Sequence, residues 1–148
     1  MTETTSLSTQ DLWAKLFEAP SINGFFSDLD GNTLPAFADY ISDLAESRGE
    51  KPETIIRRSN LDSSFGHRLF AGTRNPSRDT VLQLAFGFGL TSDETQLMMK
   101  IARVTALHPK VRRDAVIAYG LHHQLTLIEM QQLLQECDLP LIGGGRLE

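Results

Sequence analysis

The chain has 148 residues, 41% hydrophobic and 22% charged, a balance that argues against intrinsic disorder and fits one globular domain with extensions. No apolar run reaches the ~20 residues needed to span a bilayer, and the polar residues 1–10 do not read as a secretory leader. Cys137 is the only cysteine, which excludes an internal disulfide and a cysteine-rich metal site and makes a reducing, cytoplasmic location the expectation.

The elements, in chain order, all read as helices. Leu12, Trp13, Leu16 and Phe17 form a short amphipathic helix that Pro20 ends. Residues 21–33 read as a turn-rich connector. Phe37, Tyr40, Ile41, Leu44 and Ala45 make a full helical stripe, with Gly49 as its stop. Pro52 suits the first turn of the next helix, with Ile55 and Ile56 inward and Asn60 as a left-handed terminator. Asp62 is placed to cap a helix that Gly72 closes.

Pro76 and Ser77 announce a helix carrying Val81, Leu82, Ala85 and Phe88. Thr91 with Glu94, and Thr126 with Glu129, have the spacing of capping boxes. Pro109 is expected to start the helix between them, and its run from Ala115 to Leu121, apolar nearly all round, is expected to be central. No period-2 strand and no internal repeat is evident. Gly143, Gly144 and Gly145 read as the start of a flexible tail.

Net charge is -5, unevenly spread. Residues 1–47 hold eight acidic residues against one basic, and residues 79–148 hold eight against six. Residues 48–78 reverse the balance: Arg48, Lys51, Arg57, Arg58, Arg68, Arg74 and Arg78 stand against Glu50, Glu53 and Asp62. Local potential, not net charge, decides where a polyanion docks.

Residues 34–90 resemble the lambda-repressor-like (Cro/XRE-type) helix-turn-helix family. The resemblance runs from Glu53 through the turn Asn60-Leu61-Asp62, then residues 63–72, the loop Thr73-Arg-Asn-Pro-Ser77, and the helix from Val81 to Leu90. The helical periods already make the fold all-α, and the resemblance implies a lambda-repressor-like helix-turn-helix bundle over residues 34–90, beside which stand the short N-terminal helical extension and the additional C-terminal helices. The corresponding division is 1–33, 34–90, 91–142 and 143–148. It also implies sequence-specific binding of double-stranded DNA by a transcriptional regulator, with residues 62–71 as recognition helix.

Helical geometry agrees with that face. At 100° per residue, Phe65 and Leu69 turn to the core, while Ser64, His67 and Ala71 face away, flanked by Ser63 and Arg68. Small and hydrogen-bonding side chains suit approach to base edges. Thr73, Arg74, Asn75 and Arg78 follow, where the family meets phosphates, and guanidinium forks fit phosphate oxygens. The DNA-binding set is therefore Ser63, Ser64, His67, Arg68, Thr73, Arg74, Asn75 and Arg78. The chain departs from the family at Ile56, often alanine, at Gly66, often aliphatic, and at Phe70, often glutamate. Ile56 and Gly66 look compensatory in volume, and the Trp13/Phe17 helix is a candidate cover for Phe70.

Asp28-Leu-Asp30-Gly31-Asn32-Thr33-Leu34 resembles the nucleophile motif of haloacid-dehalogenase-type phosphatases, but Asn32 is inserted and no apolar strand precedes it. Turn and cap chemistry is the expected role, no enzyme is expected, and no cofactor. His108, His122 and His123 lack convergent partners for a metal. Arg112 and Arg113 are expected to bridge to the neighbourhood of Asp114, with DNA contact as the alternative. Leu127, Met130, Leu133, Leu134 and residues 139–142 are expected either to pair two copies as a homodimer through residues 110–142 or to cap the monomer's core. The alternative function is a protein-interaction adaptor on the same scaffold, docking a partner through the acidic, aromatic N-terminal segment.

Overall fold

The computed structural model describes residues 7–144, and all their regular structure is helical: α1 Thr9–Glu18, α2 Ile22–Leu29, α3 Phe37–Ser47, α4 Pro52–Arg58, α5 Ser63–Ala71, α6 Arg78–Phe88, α7 Ser92–Ile101, α8 Arg112–His122 and α9 Leu127–Glu136. None of these is long and apolar enough to cross a membrane. Residues 1–6 of the polar N-terminus, and the tail expected from residue 145 onward, lie outside the described residues. The chain divides into two compact units, residues 1–35 and 36–148.

The first unit is an α1–α2 hairpin. Ser8 and Ser21 cap the two helices, accepting from the Asp11 and Gly24 backbone N–H groups. The connector expected at residues 21–33 is therefore mostly helix. Ile22, Phe25, Phe26 and Leu29 recur at i, i+3, i+4 and i+7, a stripe masked in the sequence by Gly24 and the polar residues around it. The acidic motif after it is a turn. Gly31 has φ 79°, and Asn32 donates to the Asp28 carbonyl at 3.0 Å while accepting from Leu7 N–H at 2.9 Å.

One core runs through the second unit, from Ile41 to Ile142. Its axis is α6, not α8. Thr80, Val81, Leu82, Leu84, Ala85, Phe86, Gly87 and Phe88 are all buried, with α4, α7 and α9 packed around them. On α8 only Asp114, Ile117, Gly120 and Leu121 are buried, and Tyr119 is 58% exposed. Pro109 lies in the turn before α8, closed by Val111 N–H to the His108 carbonyl at 3.0 Å, so the helix begins three residues later than its proline suggests. Phe70 packs against this same core.

An internal repeat organises residues 78–144. A shift of 35 residues carries Arg78, Asp79, Val81, Leu90, Thr91, Glu94 and Gln96 onto Arg113, Asp114, Val116, Leu125, Thr126, Glu129 and Gln131. It also carries the α6–α7 hairpin onto α8–α9. The hydrogen bonds repeat with it. Gln96 grips the Leu107 backbone at 2.9 and 2.8 Å, and Gln131 grips Ile142 at 2.8 and 2.8 Å. Arg78 Nε donates to the Thr105 carbonyl, and Arg113 Nε to that of Pro140, both at 2.9 Å.

The acidic partners are exchanged between the two copies. Arg78 binds Asp114 at 2.8 Å, and Arg113 binds Asp79 through two hydrogen bonds of 3.2 and 3.1 Å. The backbone N–H of His108 donates to Asp114, and that of Gly143 to Asp79. Residue i meeting j′ while i′ meets j is the contact pattern of a two-fold axis, here inside one chain. Arg113 thus reaches Asp79, not the neighbourhood of Asp114. Gly143, expected to open the flexible tail, is held by that Asp79 bond.

The candidate dimer surface lies in this core as well. Leu127, Met130, Leu134, Leu141 and Ile142 are buried, and Leu133 and Leu139 pack against them. At about 1.5–3 kcal/mol per buried large apolar side chain, they are structural contributors within one chain.

Candidate nucleic-acid interface

Residues 52–72 form a helix, a four-residue turn and a second helix. Pro52 occupies the first turn of α4, where its missing N–H costs nothing. Asn60 adopts φ 53°, Leu61 N–H returns to the Ile56 carbonyl at 3.2 Å, and Asp62 accepts from Phe65 N–H at 3.0 Å. Buried Ser59 anchors the turn from beneath. Its hydroxyl donates to the Ile55 carbonyl at 2.7 Å, and its carbonyl accepts from Gln83 of α6 at 3.1 Å. Gly87 lets α6 approach, because a Cβ there would collide with Ser59 Oγ.

The same turn occurs twice more. Gly89-Leu90-Thr91 and Gln124-Leu125-Thr126 repeat the left-handed residue and the leucine. In both, the leucine N–H bonds a carbonyl five residues back, at 3.0 Å, and a capping hydroxyl follows. Backbone geometry therefore does not single out α5. Charge does. α7 carries Asp93 and Glu94 against Lys100, and α9 carries Glu129 and Glu136 with no cation, whereas α5 carries Arg68 and no carboxylate.

The outer face of α5 is open. Ser63, Ser64, His67 and Arg68 are exposed, as are Thr73, Arg74 and Asn75 beyond the Gly72 cap at φ 81°. Leu69 is fully buried and Phe65 half-buried beneath them. These seven residues share one continuous stretch of surface, α5 and the loop after it.

Arg78 stands apart. Nε donates to the Thr105 carbonyl, and Nη2 to the Ala106 carbonyl and the Asp114 carboxylate. Its position at the head of α6 commits the guanidinium to the repeat's own contacts, so we exclude it from the phosphate-binding set. Two other cations of the basic stretch are also engaged, Arg48 with Glu94 and Arg58 with Glu50. Lys51, Arg57, Arg68 and Arg74 are exposed, with no ion pair among the described residues. Lys51, the N-cap residue of α4, and Arg57, in its last turn, join the candidate set. The bare charge count contained them, but only the pairing pattern separates them from Arg48 and Arg58.

No three His, Cys, Asp or Glu side chains among the described residues are grouped to hold a metal ion. No family model, curated protein or solved structure matches the chain.

Proposed function

We propose that the chain is a sequence-specific DNA-binding regulator of transcription that inserts α5 into the major groove. The observation that carries this reading is the contrast between three helices behind one turn geometry. Of the three, only α5 carries no carboxylate beyond its Asp62 cap, and the cations without an ion pair among the described residues, Lys51, Arg57, Arg68 and Arg74, fall on or next to α4 and α5 along the chain. A phosphate backbone is repelled by the acidic faces of α7 and α9 and attracted to α5.

The resemblance of residues 34–90 to the lambda-repressor-like family supports the same placement. Ser63, Ser64, His67 and Arg68 face base edges, with hydroxyl, imidazole and guanidinium groups matching major-groove donors and acceptors. Thr73, Arg74 and Asn75 meet the phosphates beside the groove, and Lys51 and Arg57 add charge along α4. One such helix reads only a few base pairs, so two copies on half-sites about one helical turn apart complete the arrangement. The reading assigns no catalytic step and no cofactor, and it places the protein in the cytoplasm with the DNA.

Selection from a random duplex pool tests the proposal. The wild type enriches one motif, and the Ser64→Ala/His67→Ala variant loses the preference at the bases those residues read. Absence of any enriched motif from the wild-type pool overturns the reading.

A further inference from the structure

The α1–α2 hairpin leaves most of its apolar surface uncovered. Phe25 is its one buried hydrophobic side chain among the described residues, while Trp13, Phe17, Ile22 and Phe26 stand 54%, 77%, 57% and 48% exposed. Trp13 and Phe17, one turn apart on α1, stack with ring centroids 5.5 Å apart. Beside them lies an apolar hollow of ≈ 220 Å³ lined by Thr9, Leu12, Trp13, Leu16 and Phe25. An exposed apolar cluster of this density marks an interaction surface.

Charge selects what covers it. Residues 7–35 hold Asp11, Glu18, Asp28 and Asp30 against one cation, Lys15, which lies 3.9 Å from Asp28. A second copy of the hairpin would set like charge against like. An anionic bilayer surface is repelled for the same reason. A cationic amphipathic helix supplies both complements: aliphatic anchors spaced by one turn for the hollow and the aromatic pair, and lysine or arginine for the carboxylates.

We propose that the α1–α2 hairpin is a docking face for an amphipathic helix with basic flanks on a partner protein. The proposal uses none of the residues assigned to DNA and does not rest on that reading.

Trp13 is the only tryptophan in the chain and sits within the proposed face, so its emission reports the contact. The probe is a short amphipathic peptide of leucine and lysine, titrated into the full chain beside a leucine–glutamate counterpart of the same pattern. The leucine–lysine peptide shifts Trp13 emission to the blue saturably, and the leucine–glutamate peptide binds about tenfold or more weakly. Raised salt weakens the first. Phe17→Ser, at the most exposed position, abolishes the shift while leaving the circular dichroism spectrum unchanged. Equal response to both peptides, or a shift that survives Phe17→Ser, overturns the proposal. So does a blue shift without peptide that grows with protein concentration alongside a dimer mass in sedimentation, which assigns the face to a second copy.

Discussion

Ile56 occupies the space that a side chain on Gly66 would need. A Cβ built on Gly66 meets Ile56 Cγ2, Cγ1 and Cδ1 at 2.5, 2.7 and 2.9 Å, so the two helices of the candidate interface touch through a glycine. The contact sets how closely α5 rests on α4, and with it how far the outer face of α5 projects.

Gly66→Ala therefore opposes two effects. Alanine gains about 1 kcal/mol of helix propensity, and overpacking against Ile56 costs about 1–3 kcal/mol. Net destabilisation is expected, read as a lower urea midpoint. Adding Ile56→Ala to Gly66→Ala relieves the clash, so the double variant is more stable than the two separate losses predict. Strict additivity contradicts the packing described.

The exchanged ion pairs make a second prediction, which separates Arg78 from Arg74. Asp114 is buried, so Arg78→Ala strands a carboxylate and lowers stability by about 3 kcal/mol, measured by denaturant unfolding. Arg74→Ala leaves stability within about 0.5 kcal/mol, because the side chain is exposed and in no ion pair among the described residues. A midpoint unchanged by Arg78→Ala contradicts a structural role for the Arg78–Asp114 pair.

Acid should loosen the fold through the same groups. Burial raises the Asp79 pKa, but the Arg113 hydrogen bond, the Gly143 N–H and the nearby guanidinium charges outweigh it and hold the carboxyl below its ordinary 3.8. Glu94 is held below 4.5 chiefly by the Thr91 backbone N–H, with Arg48 contributing. Depressed carboxylate values stabilise the folded chain above the unfolded pKa, and that contribution is lost as pH falls through the folded values. Stability should be level with respect to these groups near neutrality and decline below about pH 4.5, less steeply in Asp79→Asn. A wild-type decline no steeper than that of Asp79→Asn contradicts the assignment.

Leu134→Asp should unfold the chain rather than dissociate a dimer, since Leu134 is fully buried in its own core. Loss of the helical signal at all concentrations is the expected result. A folded monomer carrying this substitution contradicts the core described.

Local chemistry was legible in the sequence wherever one or two neighbours set the backbone. Asn60 and Gly72 as left-handed terminators, Asp62 as a cap and the Thr91/Glu94 and Thr126/Glu129 boxes all act over a few residues. So does the outward face of α5, which follows from helical period alone. Relationships of long range were not legible. Arg78 reads as a phosphate ligand until Asp114 is brought to it, and an apolar stripe such as Leu127–Leu134 looks the same whether it meets a core or a second copy. The repeat is faint in the sequence because most of its core positions exchange one hydrophobe for another, Leu82 for Ile117 and Met99 for Leu134, leaving a few polar anchors as its trace.

The central claim is that the α5 face binds DNA, with Arg74 rather than Arg78 on phosphate, and a salt titration tests it most directly. Affinity for a selected duplex is measured by anisotropy at several salt concentrations for the wild type, Arg74→Ala and Arg78→Ala. The account predicts a linear fall of log K with log salt, a slope smaller by about 0.9 in Arg74→Ala, and a slope unchanged in the Arg78→Ala protein that remains folded. No salt-dependent binding by the wild type, or a slope untouched by Arg74→Ala and reduced by Arg78→Ala, contradicts it.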